Sequence, residues 1–286
     1  MNLVVVGDCL LDTDLVGTST RLCPDAPVPV LDVEDELVRP GGAGLAATLA
    51  ATFADADVTL VTVIADDADG DRLRKALNGT PLVAGPSWTP TPVKTRLRSG
   101  GQSIARIDRG GSSGNPVVTG EMLDAIRCAD TVLVSDYGRG LAANQQVRDV
   151  LSSIADEVPV VWDPHPRGPR PIPGARLVTP NTSEAMNASG CATHEDAAAE
   201  LRRRWLADAV VITLGSRGAL LDAGTGPVLV PAPTVQLVDP CGAGDCFAVT
   251  AATRLMAGDD HFAAVFAGVV AASRFVAQAF AEGDSL

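Results

Sequence analysis

Aromatic residues, histidines and paired cysteines are scarce in this chain. Phe, Trp and Tyr together make up 3% of its 286 residues, and it has three histidines. None of its six cysteines belongs to a C-x-x-C pair, so a zinc cluster is not expected. With so few aromatic rings the core must be built from Ala, Val and Leu, which suits parallel strands covered by helices.

Basic residues are also few. The chain has 22 Lys and Arg against 35 Asp and Glu, which gives a net charge of −13. A chain this acidic has no general attraction for nucleic acid or for an anionic membrane, and we expect neither as a partner. A phosphorylated substrate would therefore need a local basic pocket.

Long apolar runs are lacking as well. The longest late run, residues 262–273, is too short to cross a bilayer. The first six residues lead straight into Gly7 and Asp8 and are typical of a strand rather than of an export signal. Together with the unpaired cysteines, these features predict a cytoplasmic protein with reduced thiols.

Strand-like and helix-like segments alternate along nearly the whole chain, which predicts one α/β domain over residues 1–286. The predicted strands span residues 3–6, 58–64, 131–135, 159–162, 177–179 and 209–213. The predicted helices span residues 42–53, 70–77, 121–128, 143–154, 195–206, 243–256 and 261–280. Such alternation indicates a mostly parallel sheet between helices, with ligands bound beyond the C-terminal ends of the strands.

Two regions break this alternation. Within about 12–38 and 92–109, apolar and polar residues alternate without an intervening helix, which is typical of antiparallel strands with one exposed face. A small sheet of this kind, laid across the open end of the main domain, would form a lid. Because exposed sheet faces often find a partner, we expect a homodimer formed through this lid.

The segment of residues 239–245 is the most informative in the chain. A β-prone run, residues 235–238, leads into it, and a helix-like segment from Cys246 leads out. Main-chain N–H groups at such a glycine-rich helix start favour a negative charge, yet Asp245 places a carboxylate there. Asp245 can take a proton from a hydroxyl while the turn holds a phosphoryl group, or it can simply pair with the helix dipole.

Several other polar residues follow predicted strands. Asp8 and Asp12 can accept hydrogen bonds from sugar hydroxyls or cap a turn. Gly41 and Gly42 precede an alanine-rich helix and allow either a close approach to a ligand or a tight turn. Arg139, which follows a strand, is a candidate anion contact. Lys94, Arg96, Arg98 and Arg106 can form a phosphosugar pocket or a solvated strand face.

Three further candidates concern a nucleotide and its metal. Asn181 and Glu184 can face one Mg²⁺ site, or a capping box can form there with Thr182 or Ser183 as the cap. Residues 213–218, with Thr213, Gly215 and Gly218, can touch a nucleotide or form a β-hairpin into residues 219–221. Asp239 can orient its loop, bind a cation or make an Asx-turn.

Taken together, these motifs resemble the ribokinase-type (PfkB) family of carbohydrate kinases over nearly the whole chain. The double glycine at Gly41, the pair Asn181 and Glu184, and the run from Gly242 to Asp245 occur in the family's order. Within the family the chain is most similar to the heptose 7-phosphate kinases, including the kinase half of the bifunctional ADP-heptose synthesis enzymes. The residues that carry this likeness are 17–21, 26–30, 39–43, 106–108, 135–137, Gly140 and 163–164.

The resemblance implies a ribokinase-like sandwich with a β lid and an ATP-dependent sugar kinase. Its implied roles are Asp245 as the base and the amides of Gly242, Ala243 and Gly244 as the anion hole. The implied contacts are Mg²⁺ and phosphates at Asn181 and Glu184, the sugar at Asp8, Gly41 and Gly42, and the nucleotide near Thr213, Gly215, Gly218 and residues 267–275. Sugar-binding candidates also include Asp12, Lys94, Arg106, Asp136 and Arg139. ATP and Mg²⁺ are the expected cofactors, with a monovalent cation at Asp239 as a further candidate.

The chain departs from the family pattern at several positions. Leu45 and Leu49 stand at positions where these kinases carry Asn. Arg139 and His165 stand where they carry Lys, and Cys241 stands where they carry Thr. We expect the late loop that helps bind a monovalent cation to be shortened, and the nucleotidyltransferase half to be missing. Kinases of another sugar, sugar phosphate or nucleoside, and a catalytically silent sugar sensor, therefore stay as alternatives.

Overall fold

The computed structural model describes residues 1–54, 56–110, 116–236 and 239–278. Residues 237–238 of the predicted β-prone run and residues 279–280 of the last predicted helix lie outside this part of the chain. The strands are β1 (Asn2–Gly7), β2 (Cys9–Cys23), β3 (Ala26–Gly42), β4 (Asp57–Ala65), β5 (Leu82–Ser87), β6 (Val93–Ser99), β7 (Gln102–Arg109), β8 (Thr131–Ser135), β9 (Val160–Asp163), β10 (Leu177–Val178), β11 (Val210–Thr213), β12 (Ala219–Asp222) and β13 (Pro227–Val230).

The helices pack against both faces of the main sheet. They are α1 (Ala43–Phe53), α2 (Ala68–Ala76), α3 (Gly120–Arg127), α4 (Gln145–Ile154), α5 (Thr182–Ser189), α6 (His194–Trp205), α7 (Ala243–Met256) and α8 (His261–Ala277). In the described part of the chain, none of them combines the length and the apolar character that crossing a membrane would require.

Within the described residues the main sheet has nine strands in the order β13-β12-β11-β10-β9-β8-β1-β4-β5. The pairs from β11 through β5 are parallel, and only β12 and β13 at one edge run antiparallel. Alternate residues of β1 point to opposite helix layers, because side chains alternate along a strand: Leu3 and Val5 join one apolar cluster and Val4 and Val6 the other. The predicted α/β/α sandwich is confirmed.

A second sheet of four strands, in the order β3-β2-β6-β7, forms the predicted lid. The hairpins β2–β3 and β6–β7 are antiparallel, while β2 and β6, which join them, are parallel. The lid is longer than the sequence indicated, since strand structure already begins at Cys9 and ends at Gly42. Asp12 therefore belongs to a strand that carries the chain from the main sheet into the lid, while Asp8 lies in the link between β1 and β2.

Two elements were not predicted, namely β5 and β13, while the short helix α5 entered only as the capping-box alternative. The β5 strand contains Gly85 and Pro86, both of which usually indicate a loop. It tolerates them because it lies at the edge of the sheet and pairs only with β4, so one side of its backbone needs no ladder partner. A side chain at Gly85 would also meet the carbonyl oxygen of Val117 at 2.3 Å, so close packing favours glycine there.

The strands β1 and β8 end side by side and bring their loops to one edge of the sheet. Gly7 pairs with Ser135, and a Cβ atom at Gly7 would lie 1.9 Å from the Ser135 carbonyl oxygen. This close approach requires glycine and places the loops after both strands next to each other. Asp8 consequently accepts the main-chain N–H groups of Arg139 and Leu141, at 2.9 and 3.1 Å.

Candidate active site

The α7 helix begins at a glycine turn at the edge of the sheet. Its N-cap, Gly242, has φ of 88°, a left-handed conformation that glycine adopts without strain. Asp245 lies in the first turn of the helix and is 8% exposed. The Val, Ala and Cys side chains after it are buried, so the apolar packing of α7 fixes the direction in which this first turn points.

Asp245 is paired with a tyrosine that is far away in sequence. The Tyr137 hydroxyl lies 3.0 and 3.2 Å from the two carboxylate oxygens of Asp245 and donates to them. Burial raises the pKa of Asp245 to about 7, although the hydrogen bond from Tyr137 lowers it. A carboxylate with a pKa near neutrality can take up and release a proton under physiological conditions, as a general base must.

A cavity of about 180 Å³ opens beside Asp245. Its lining residues, all from strand ends and helix starts, are Asp136, Tyr137, Asp163, Pro164, His165, Thr179, Asn181, Glu184, Thr213, Gly244, Asp245 and Phe247. Asp136, Asn181, Glu184, Thr213, Gly244 and Asp245 were predicted site residues, and the fold brings them together here. Their position follows from the parallel sheet, whose strand ends meet at this edge.

The cavity wall carries several carboxylates with raised pKa values. Burial raises the pKa of Asp136 to about 7, and its Oδ1 accepts the N–H of Gly138 at 2.7 Å. Burial also raises the pKa of Asp163 well above its ordinary value, and Thr179 donates its hydroxyl to Asp163 at 2.8 Å. The concentration of acidic groups means that an anionic ligand needs counter-charge from cations or from main-chain N–H groups.

Asn181 and Glu184 form a capping box at the start of α5. The Asn181 side chain accepts the Glu184 N–H at 3.0 Å, and the Glu184 carboxylate accepts the Asn181 N–H at 2.8 Å. The cap is therefore Asn181 itself rather than Thr182 or Ser183. Because both residues also line the cavity, capping and a role toward phosphates or Mg²⁺ are compatible.

The turn before α7 is held by hydrogen bonds among its own residues. Asp239 makes an Asx-turn, accepting the Cys241 N–H at 2.9 Å, and Ala243 donates its N–H to the Pro240 carbonyl at 3.2 Å. The Ala243 N–H is thus already donated, through a long bond, and would have to turn toward a bound anion. Gly244 lies on the cavity wall.

Four candidate sugar-binding residues lie where the chain passes between the main sheet and the lid, namely Asp8, Asp12, Gly41 and Gly42. None of them lines the cavity. The Asp12 carboxylate pairs with Arg96 at 2.8 Å. Glycine is required at Gly42, where φ is 64° and an added Cβ atom would lie 2.4 Å from the Asp8 carbonyl oxygen. At Gly41 an added Cβ atom would lie 2.4 Å from Asp12 Oδ2, so the Asp12 side chain would have to shift. Turn formation and close packing thus account for these glycines and for Asp8.

Gly215 and Gly218 also stay off the cavity wall. They belong to the connection between the antiparallel strands β11 and β12, as the hairpin alternative required. Gly218 has φ of 101°, and a Cβ atom there would lie 2.0 Å from the Val230 carbonyl oxygen. Thr213 is the residue of this segment that reaches the cavity.

Basic residues gather on the lid side of Tyr137. The Lys94 ammonium lies 5.5 Å from the centre of the Tyr137 ring, and His165 stacks on that ring with 6.4 Å between centroids. Burial, together with the positive charges of Arg167 and Lys94, lowers the pKa of His165 to about 4. Arg106, by contrast, is exposed and pairs with Asp108 within β7.

Sequence reasoning missed several residues of the site. Tyr137 and Asp163 entered only through the family resemblance, and Phe247 did not enter at all. Asp163 ends strand β9, so the rule that ligands bind beyond strand ends could have found it. No sequence signal indicates the Tyr137–Asp245 contact, because 108 residues separate the two side chains.

We expect the pH dependence of kcat/KM to report on this contact. Activity should rise with pH through about 7, because Asp245 must lose its proton before it can accept one. Changing Tyr137 to Phe removes a hydrogen bond that lowers the pKa of Asp245, so the rising limb should move to higher pH. Initial rates between pH 5 and 9 measure this, and an unshifted limb in Tyr137→Phe would show that another group titrates.

Residues 1–283 match the profile of the pfkB family carbohydrate kinases. The chain belongs to this family. It is 48% identical to the bifunctional protein HldE of Streptomyces coelicolor and 34% identical to that of Azorhizobium caulinodans, in both cases over 96% of its own length. It spans only 60% and 61% of these two relatives.

Solved structures share the fold. Arabidopsis thaliana ribokinase complexed with ribose and ATP superposes with a TM-score of 0.74 at 23% identity, over 96% of this chain and 92% of that one. Escherichia coli phosphofructokinase-2 in complex with fructose-6-phosphate superposes with a TM-score of 0.74 at 17% identity, over 96% and 93%. The fold is therefore ribokinase-like, and the family to which the chain belongs is one of carbohydrate kinases.

Proposed function

We propose that this pfkB kinase transfers the γ-phosphoryl group of MgATP to a hydroxyl of a phosphorylated sugar, in its specific form O-1 of a heptose 7-phosphate. The observation that carries the proposal is Asp245, a buried carboxylate with a pKa of about 7 on a cavity wall at the start of α7. The bifunctional HldE relatives support the heptose form.

The side chains divide the reaction between them. Asp245 takes the proton of the sugar hydroxyl as its oxygen forms a bond to the γ-phosphorus, and the bond from that phosphorus to ADP breaks. Tyr137 holds the carboxylate in place through its hydrogen bond. The N–H groups at the start of α7, from Gly242 to Gly244, would stabilise the negative charge of the phosphoryl group once the Ala243 N–H has turned toward it from the Pro240 carbonyl.

The residues of the cavity suit a magnesium ion that arrives with the nucleotide. Its wall offers hard oxygen donors from Asn181 and Glu184, and a buried Asp136 oxygen that has no hydrogen-bond partner in the described part of the chain. Among the described residues no three His, Cys, Asp or Glu side chains form a metal cluster, so contact through water fits best. When bound, Mg²⁺ would neutralise charge on the phosphates of the nucleotide.

A phosphorylated acceptor fits the basic cluster beside Tyr137, which we define as Lys94, Arg139 and Arg167 around the uncharged imidazole of His165. One guanidinium nitrogen of Arg139, Nη1, is buried and has no hydrogen-bond partner within the described residues. Both side chains are half-buried, and this burial lowers the pKa of Arg139 and of Lys94. An anionic group would supply the partner that Arg139 lacks.

A different sugar is favoured by the two leucines that replace the usual Asn residues. Leu49 is fully buried in a small apolar cluster with Cys246 and Phe275, and Leu45 packs against that cluster. A Cβ atom at Gly242 would lie 3.2 Å from Leu45, so this leucine reaches the turn itself. Neither position can offer an amide to a sugar hydroxyl, which keeps another sugar phosphate as the second candidate.

A panel of acceptors tests the proposal. ADP release is measured with heptose 7-phosphate, hexose phosphates, pentoses, nucleosides and the matching unphosphorylated sugars. We expect kcat/KM to be highest for a phosphorylated sugar and at least tenfold lower for its unphosphorylated form. Turnover of nucleosides or free sugars alone would refute the phosphorylated acceptor, and ligand-induced stabilisation without ADP release would indicate a silent sensor.

We also propose a homodimer formed through the lid. Every residue of β7 is exposed, and large apolar side chains stand out from the lid at Val33, Leu37, Ile104 and Ile107. An exposed apolar sheet of this kind is stable when a second copy covers it. Light scattering after gel filtration should give twice the monomer mass for the wild-type protein. The Ile107→Asp variant should give the monomer mass. A monomeric wild-type protein would refute the dimer. We further propose a cytoplasmic location for the kinase, since ATP is available there.

A further inference from the structure

Three basic side chains share one face of the lid strand β6. Lys94, Arg96 and Arg98 stand at alternate positions, and side chains two apart on a strand point the same way. Each reaches a different part of the site: Lys94 lies over Tyr137, Arg96 Nη2 lies 3.6 Å from Cys241 Sγ, and Arg98 Nη1 lies 3.8 Å from Asp239 Oδ2. The two arginines therefore connect the lid with the turn that precedes α7.

Acidic residues of β2 hold both arginines in place. Asp14 is fully buried, and its Oδ2 accepts from Arg98 at 3.1 Å and from Arg39 at 2.6 Å. Asp12 pairs with Arg96 at 2.8 Å. Arg98 thus lies between a buried carboxylate of the lid and the Asp239 carboxylate of the turn, and its 27% exposed side chain has little freedom to leave.

This arrangement does not suit a free monovalent cation at Asp239. One oxygen of Asp239 already accepts the Cys241 N–H at 2.9 Å, and the other faces the Arg98 guanidinium. A cation bound at that second oxygen would stand close to a fixed positive charge, and like charges repel strongly in a partly buried site. Asp239, to which the family resemblance assigns a monovalent cation, thus already faces the positive charge of Arg98.

We propose that Arg98 is a positioning residue that supplies, from the lid, the positive charge facing Asp239, so that this enzyme needs no monovalent cation. The ion pair orients the 239–242 turn and with it the first N–H groups of α7. Its kinetic consequence rests on the proposed function, whereas its cation independence concerns the folded protein alone.

Measurements with and without K⁺ test whether the protein is independent of a monovalent cation. The unfolding midpoint and the ADP dissociation constant are measured in KCl and in choline chloride at equal ionic strength. We expect the midpoints to agree within about 1 °C and the constants within about twofold, since no bound ion is lost. A clearly higher unfolding midpoint in KCl, or a clearly smaller ADP dissociation constant there, would overturn the proposal. Because the unfolding midpoint needs no acceptor, this comparison still decides the matter if no sugar supports turnover.

A double-mutant cycle tests the link between the two residues. Arg98→Gln leaves buried Asp14 paired with Arg39, and Asp239→Asn keeps the oxygen that caps the turn. Each single variant should lower kcat about tenfold while KM for the sugar changes less than threefold, and the double variant should be no worse than either.

The matched control is Arg21→Gln, which breaks an exposed lid ion pair with Asp32. It should leave kcat within twofold of wild type. If the effects of Arg98→Gln and Asp239→Asn multiply in the double variant, or if Arg98→Gln behaves like the control, Arg98 does not act through Asp239 and the proposal is wrong.

Discussion

Changing Asp245 to Asn is expected to lower kcat by about 10³-fold, the size of effect that removal of a general base produces. The affinity for ADP should stay within about threefold, because the substitution preserves shape and Asn can still accept the Tyr137 hydroxyl. Steady-state rates with the best acceptor and calorimetric titration with ADP measure the two quantities. A variant that keeps more than a tenth of wild-type kcat would show that Asp245 is not the base.

The same substitution should stabilise the protein at alkaline pH. The pKa of Asp245 is about 7 in the folded protein, above its ordinary value of 3.8, so the native state binds the proton more tightly than the unfolded chain does. The contribution of Asp245 to stability is therefore greatest below pH 3.8 and falls as pH rises toward 7, because the carboxyl ionises in the unfolded chain while the native state still holds its proton. Asn removes that charge, and the free energy of unfolding at pH 8 should rise by about 2–4 kcal/mol.

A control at the other end of α7 separates charge from chemistry. Asp259 pairs with Arg254 at 2.6 Å near the end of the helix and takes no part in the cavity. Asp259→Asn should leave kcat unchanged within twofold and should not raise stability. If it lowered kcat as much as Asp245→Asn does, the loss would reflect damage to the helix rather than loss of a base.

Removing two charges of the basic cluster is the second large effect we expect. Lys94→Met with Arg139→Met should raise KM for the phosphorylated sugar by about 10³-fold, since a hydrogen bond between charged groups contributes roughly 2 kcal/mol and 1.4 kcal/mol is tenfold. The main-chain N–H of Arg139, which Asp8 accepts at 2.9 Å, is untouched by the change. The loop should therefore keep its shape.

The unphosphorylated sugar provides the internal comparison. Its KM should change less than threefold in the same double variant, because the cluster would then have lost only its phosphate contacts. Arg127→Met, which breaks an exposed ion pair with Asp124, is the matched surface control and should alter neither KM. Equal weakening of both sugars, or of neither, would show that the cluster does not recognise a phosphate.

The sequence predicted the α7 helix with the bounds that the structure has, because a glycine turn, a carboxylate and a long run of small residues each define part of it. It also predicted the sandwich and the lid, since local periodicity decides whether a segment is a strand or a helix. It failed at β5, where Gly85 and Pro86 resemble a loop. Only the neighbouring strand β4 makes that segment a strand.

The candidate site was predictable in its members but not in their arrangement. Short sequence motifs identify Asp245, Asn181 and Glu184. The hydrogen bond from Tyr137 and the ion pair from Arg98 join segments more than 100 residues apart, so no local pattern contains them.

The sequence by itself thus determined the family, the layers and the acidic residue at the start of α7, because these depend on local composition and on short motifs. Only the tertiary structure decided the pKa of that residue, the cavity beside it and the arginine that faces Asp239. These properties arise from burial and from charges on distant strands, and the strength of an electrostatic interaction depends on distance and solvent exposure rather than on position along the chain.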